Sequence, residues 1–195
     1  MKKQSILALA ISTLIVVAVA QPASAYVLLS PRRTWATTPV TVKVYTGGNS
    51  TINDGSGGVN AVVGAIKAWG VVNSSTSSTK AVRGTAPATI ELNSNGHICT
   101  GSCLAATLTG YYTGNTIYDA DVYTNQRYSY TSSGETDGCS GEYDIDGIMV
   151  HEVGHVIGIG HSNVTGATMY PSVSSCNLNN RTLEADDIAA KNDLY

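Results

Sequence analysis

Charge is scarce in this 195-residue chain, at 13% Asp, Glu, Lys and Arg against about a quarter in an average soluble domain. Phenylalanine is absent, and with 2 tryptophans the 11 tyrosines carry most of the aromatic content. There is no basic cluster, no acidic block, and no apolar run of membrane-spanning length beyond the first 25 residues. Those shortages exclude a nucleic-acid-binding arm, an acidic disordered tail, a coiled coil and a later membrane span. The space is filled by 20 glycines together with Ser, Thr and Asn, which suits a loop-rich globular domain. The length is that of about one domain.

Lys2 and Lys3 open the chain, an apolar run covers Ile6 to Ala20, and Gln21-Pro22-Ala23-Ser24-Ala25 follows. A positive start, a short apolar centre and an A-x-A ending read as a signal peptide over 1–25, cut before Tyr26. The apolar run is shorter than the roughly 20 residues of a span. The expectation is therefore an exported protein with no membrane span after cleavage. Its destination is the medium, with a periplasm or cell surface as alternatives. With Lys2 and Lys3 removed, 9 Lys and Arg face 14 Asp and Glu, so residues 26–195 carry −5. A mildly acidic surface argues against a polyanion partner.

Cys99, Cys103, Cys139 and Cys176 are an even set, which in an exported chain favours disulfides. The Gly in Cys-Thr-Gly-Ser-Cys permits a tight turn and suggests Cys99–Cys103, leaving Cys139–Cys176. A four-cysteine zinc site lacks the two short Cys-x-Cys halves it would need.

Past the leader, Pro39 to Tyr45 alternates Val40, Val42 and Val44 with polar residues and predicts a strand. Residues 47–58 read as a Gly/Asn/Ser loop. Val59, Val62, Val63, Ile66 and Trp69 recur at helical spacing and predict a helix over 59–72. Residues 73–80 read as a polar Ser/Thr loop. Short strands are expected over Ala88–Leu92, Leu104–Tyr112 and Thr116–Tyr123, and irregular chain over 125–141. A second helix is expected from near Asp144 or Asp146, either able to cap it, to about Ile157. A last one covers roughly Leu183 to Leu194. Strands first and helices last is an α+β order in a single domain, 26–195.

The chemistry lies in His151-Glu152-Val153-Gly154-His155-Val156-Ile157-Gly158-Ile159-Gly160-His161. On a helix His151 and His155 stand one turn apart on the same face and can reach one ion. Glu152 is rotated about 100° away and need not be a ligand. Gly158 lets the backbone leave the helix and bring His161 round as a third nitrogen donor. Three protein ligands with an open fourth position is the catalytic zinc arrangement rather than the closed structural one. At this chain's composition, His-Glu-x-x-His alone arises by chance about 0.002 times. Three of the chain's 4 histidines at ligand spacing do not fit a buried helix with incidental imidazoles.

This run resembles the metzincin metallopeptidases, whose pattern H-E-x-x-H-x-x-G-x-x-H is followed by a Met-turn. Met169, in Ala167-Thr168-Met169-Tyr170-Pro171, is the Met-turn candidate. Ser162 after the third histidine, Met-Tyr-Pro, and Leu183-Glu184-Ala185-Asp186-Asp187-Ile188 near the end are similar to the matrixin branch. So are Tyr26-Val27-Leu28 with Trp35, and Asp119-Ala120-Asp121-Val122 with Asn125. The resemblance implies a twisted mixed β-sheet with an active-site helix and a C-terminal helix. It also implies one catalytic Zn²⁺ on His151, His155 and His161, and hydrolysis of protein or peptide substrates by a zinc-activated water, with Glu152 as general base. A monomer is expected.

Several features depart from that pattern. No Pro-Arg-Cys-Gly switch occurs, so latency through a cysteine thiolate is not expected. Only His97 is spare, so a second zinc is not expected either. The Pro-x-Tyr of many relatives reads Pro171-Ser172-Val173 here. Among Asp119, Asp121, Asp137, Glu142, Asp144 and Asp146, Ca²⁺ ligation is one reading, but solvated loops and helix caps are favoured. An N-terminal ammonium at Tyr26 is expected to pair with Asp186 or Asp187. The alternative function is an exported zinc-containing binding or adhesion module without turnover.

Overall fold

The computed structural model describes residues 25–92, 99, 101–134 and 139–195, with the backbone alone at 110–112. Residues 1–24, which hold all but the last residue of the expected signal peptide, lie outside the described residues, as do His97 and Asp137. Strands β1 (Thr34–Trp35) and β2 (Val40–Tyr45) lead into helix α1 (Val59–Ala65) and a 3-10 turn over Ile66–Trp69. Next come β3 (Val72–Ser77), β4 (Ala88–Glu91), β5 (Ala105–Thr113) and β6 (Thr116–Thr124). The short strands β7 (Tyr130–Thr131) and β8 (Tyr143–Asp144) precede α2 (Ile145–Val156), and α3 (Ala185–Leu194) closes the chain. The order is α+β, and the main sheet is mixed, as expected.

In that sheet β3, β2, β4 and β6 run parallel in this order, and β1 pairs with the start of β6. β5 lies antiparallel on the far side of β6 and forms the sheet edge. The alternation read in β2 is real: Val40, Val42 and Val44 are buried while Thr41 is exposed. They join Val62, Ile66 and Trp69 and the buried face of α2 in one core. Trp69 is fully buried and donates from Nε1 to the Val150 carbonyl at 2.8 Å, which ties the first helical segment to α2.

Residues 73–80 are not the loop that their polarity suggested, because Val72–Ser77 is an edge strand. It pairs with β2 from Val40↔Val72 to Tyr45↔Ser77. Only Val72 in it is fully buried, so it carries no hydrophobic period to detect, and its polar face keeps the sheet edge soluble. The helix predicted to run to 72 stops early for a related reason. Gly70 takes φ +69° and ends the 3-10 turn, freeing the chain to enter β3.

A second correction concerns Asp119 and Asp121, which are not solvated. Both are fully buried on β6, where Gly84 N donates to Asp119 at 2.6 Å and Thr89 N donates to Asp121 at 3.0 Å. One oxygen of each has no hydrogen-bond partner. Asp144 does have the expected capping role: it accepts from Gly147 N at 3.0 Å and holds Arg181 in a two-pronged pair at 2.6 and 2.8 Å. The disulfides are Cys99–Cys103 and Cys139–Cys176, as the Gly-containing turn suggested.

The fold makes two predictions. A Cβ at Gly154 would collide with Met169 Sδ and lie 2.7 Å from the Trp69 ring. Gly154→Ala should therefore lower stability by about 1–3 kcal/mol despite its better helix propensity, read as a lower urea midpoint at unchanged slope. Desolvation, only partly offset by the Thr89 bond, raises the Asp121 pKa to about 6. The folded chain then holds this proton more tightly than the unfolded one, so stability falls as pH rises from about 4 through about 6. Asp121→Asn removes that penalty and should raise the unfolding midpoint at pH 7.5, by on the order of 1 kcal/mol, with little effect at pH 4.

Candidate active site

α2 carries His151 and His155 one turn apart. Its end is shaped by Gly158, whose φ is +101° and whose Cβ position is closed by the Arg33 carbonyl. The N-terminal segment then straps the departing chain: Leu29 N donates to Gly158 O at 3.1 Å and Gly160 N to Val27 O at 2.7 Å. This delivers His161 to the other two histidines. The three ring centroids lie 4.9, 5.3 and 4.8 Å apart, and their ligand atoms all fall within 4.8 Å of one another. Among the described residues, this is the one group of three or more His, Cys, Asp or Glu placed to hold a metal ion.

Backbone carbonyls fix the imidazoles. His151 Nδ1 lies 2.6 Å from Thr168 O, and His155 Nδ1 lies 2.7 Å from Ile159 O. A carbonyl can only accept, so Nδ1 carries the proton in each ring and Nε2 keeps its lone pair for a metal. Desolvation lowers both pKa values to about 4, which keeps both rings neutral at physiological pH. The residues present thus fit a three-histidine zinc centre: three nitrogen donors converge, and those of His151 and His155 are neutral and oriented from behind.

The Met-turn reading also holds geometrically. Met169 is fully buried beneath α2 at Gly154, and Ser162 N donates to its carbonyl at 2.8 Å. Asp187, the N3 residue of α3, secures this turn. It accepts from Thr168 N at 2.8 Å, Met169 N at 3.0 Å and Glu184 N at 2.9 Å. The carbonyl that orients His151 is therefore held by a buried carboxylate from the last helix.

Glu152 stands outside the histidine cluster, as its helical rotation required. Burial pushes its pKa up; His155 and a hydrogen bond from Thr107 act the other way. Nothing in the sequence singled out Thr107, a residue in a strand with no motif around it. Beside His151, Glu152 and His161 opens a cleft of about 580 Å³, whose apolar wall includes Leu104, Ile148 and Val173, with Asn180 also lining it. Pro171, Ser172 and Val173, the segment that departs from Pro-x-Tyr, all line it.

An α+β domain with two histidines on one helix, a third delivered by a Gly-based exit, and a buried Met beneath defines a class of metal-dependent hydrolase architecture. The sequence model of the matrixin peptidases matches residues 56–195, and the chain belongs to that family. It is 43% identical over 54 residues to Metalloendoproteinase 4-MMP of Arabidopsis thaliana, covering 27% of this chain and 15% of that one. Karilysin of Tannerella forsythia is 36% identical over 86 residues, 44% of this chain and 15% of its own. Metalloendoproteinase 1 of Glycine max is 36% identical over 78 residues, with shares of 40% and 24%. The matches thus span less than a quarter of each of these relatives.

The support behind His151 is open to a direct check. Asp187→Asn replaces an acceptor of three backbone N–H groups with a group that must turn an NH₂ toward some of them. It should cost about 1–3 kcal/mol of stability and weaken zinc affinity about tenfold or more, measured against a competing chelator.

Proposed function

We propose that this chain is an exported zinc-dependent endopeptidase that hydrolyses peptide bonds of protein substrates, with Glu152 as general base. The observation that carries the reading is a buried carboxylate beside three convergent histidines, at the mouth of a half-apolar cleft. Zn²⁺ bound to His151, His155 and His161 supplies Lewis acidity, which makes water acidic near neutral pH and polarises a carbonyl. Glu152 takes the proton from the attacking water and hands it to the nitrogen of the departing amine, so no serine or cysteine nucleophile is needed.

The substrate would lie along β5. This strand bonds to β6 on one side, and its other edge has no strand partner among the described residues. An extended peptide can add its backbone hydrogen bonds there and place one side chain in the cleft beside Glu152. A zinc-holding adhesion module has no chemical use for Glu152, so turnover is favoured over binding alone.

Export and processing belong to the same proposal. Ala25 N donates to Asp186 at 3.0 Å, and Ser162 Oγ bonds the other oxygen at 2.6 Å. A cut before Tyr26 would remove Ala25 and release that Asp186 oxygen, and Asp187 is committed to the Met-turn, so Asp186 is the acidic partner we propose for the Tyr26 ammonium.

The test is cleavage of an unfolded protein by the mature chain beside Glu152→Ala, with zinc assayed in both. About one zinc per chain in each, with turnover reduced by about 10²–10⁴ in the variant, is the expected result. Zinc in both and cleavage in neither would turn the account toward the binding module.

A further inference from the structure

We propose that Thr107 is a positioning residue for Glu152: its hydroxyl holds one carboxylate oxygen so that the other is aimed at the reacting water. Thr107 sits on the edge strand β5, in register with Val122 of β6. Its Oγ1 lies 2.6 Å from Glu152 Oε2 and 3.0 Å from the Glu152 backbone carbonyl. The hydroxyl has a single proton. With Glu152 ionised, the shorter contact to a charged acceptor takes it, because charge-assisted bonds are the stronger ones.

Glu152 reaches the site on a flexible side chain, and freezing that side chain costs entropy. A fixed hydroxyl on the neighbouring strand supplies the constraint from outside the helix, which α2's own backbone cannot do. It also assigns different work to the two oxygens. Oε2 is engaged by Thr107, so the proton taken from water arrives on Oε1. The Thr107 bond survives that transfer, since Oε2 of the neutral acid still accepts. The proton therefore stays on the oxygen facing the scissile bond and leaves from there to the amine nitrogen, with no net change at Thr107.

This inference rests on the peptidase reading, and the experiment separates the two. Thr107→Val keeps the β-branched shape without the hydroxyl, and Thr107→Ser keeps the hydroxyl. Thr107→Val should lower kcat by about 10–100-fold with KM within about threefold, because misaimed catalytic groups lose rate rather than substrate affinity. Thr107→Ser should stay within about threefold of the parent, and all three proteins should hold about one zinc. Separately from activity, the shift in unfolding midpoint caused by Thr107→Val should fall to less than about half when introduced beside Glu152→Ala, because the partner is gone.

Parent-like kcat in Thr107→Val, a Ser variant as slow as the Val variant, or a loss confined to KM or to zinc content would each overturn the proposal. An inactive parent would count against the peptidase reading instead. The midpoint comparison would then decide the contact alone, with equal shifts in both backgrounds overturning it.

Discussion

Everything at this site depends on two hydrogen bonds that point away from it. Thr168 O and Ile159 O each occupy one ring nitrogen of a histidine on α2, and so decide which nitrogen is left for a metal. A free imidazole in water would present either nitrogen and would carry a proton near pH 6.5. Here burial and a fixed acceptor remove both freedoms before any metal arrives. The chain must then place two carbonyls at defined points behind α2, and much of the surrounding structure follows from that demand.

Ile159 O is placed by the abrupt exit after α2. Gly158 makes the turn, and the strand-like segment at 27–29 holds it down. Thr168 O is placed by the Met-turn, which Asp187 clamps from α3. The C-terminal end of α2 leaves carbonyls that its own helix cannot satisfy. Trp35 Nε1 donates to Val156 O at 2.8 Å, and Tyr195 Oη donates to Ile157 O at 2.8 Å. Residues from both ends of the described chain therefore finish the active-site helix. The short stretch from 151 to 161 owes part of its rigidity to Val27, Leu29 and Trp35, more than a hundred positions away.

This division explains what could be read from the sequence. The convergence of the three histidines was legible because the 3.6-residue period and one glycine place them within 11 residues, so spacing alone carries the geometry. A cap at Asp144 or Asp146 was legible for the same local reason, whereas Met169 was legible only through the resemblance to the metzincin pattern. β3 was not, because an edge strand needs backbone partners rather than an apolar face, and its Ser/Thr composition looks like a loop. Asp119 and Asp121 were misjudged as solvated because carboxylates are seldom fully buried. Their place on an interior strand is set by pairing with β4 and β5, which no local pattern encodes. Thr107 is the extreme case. Its meaning comes entirely from lying across from Glu152, 45 residues later, and a threonine in a strand carries no mark of that.

The central claim is that three histidines, and no other protein group, hold the metal and leave a position open. X-ray absorption at the zinc edge of metal-loaded protein spanning residues 26–195 tests it most directly. The account predicts three imidazole nitrogens at about 2.0–2.1 Å and one further light donor that exchanges with solvent or an added anion. A sulfur shell at about 2.3 Å, or a fourth imidazole that no added ligand displaces, would contradict it.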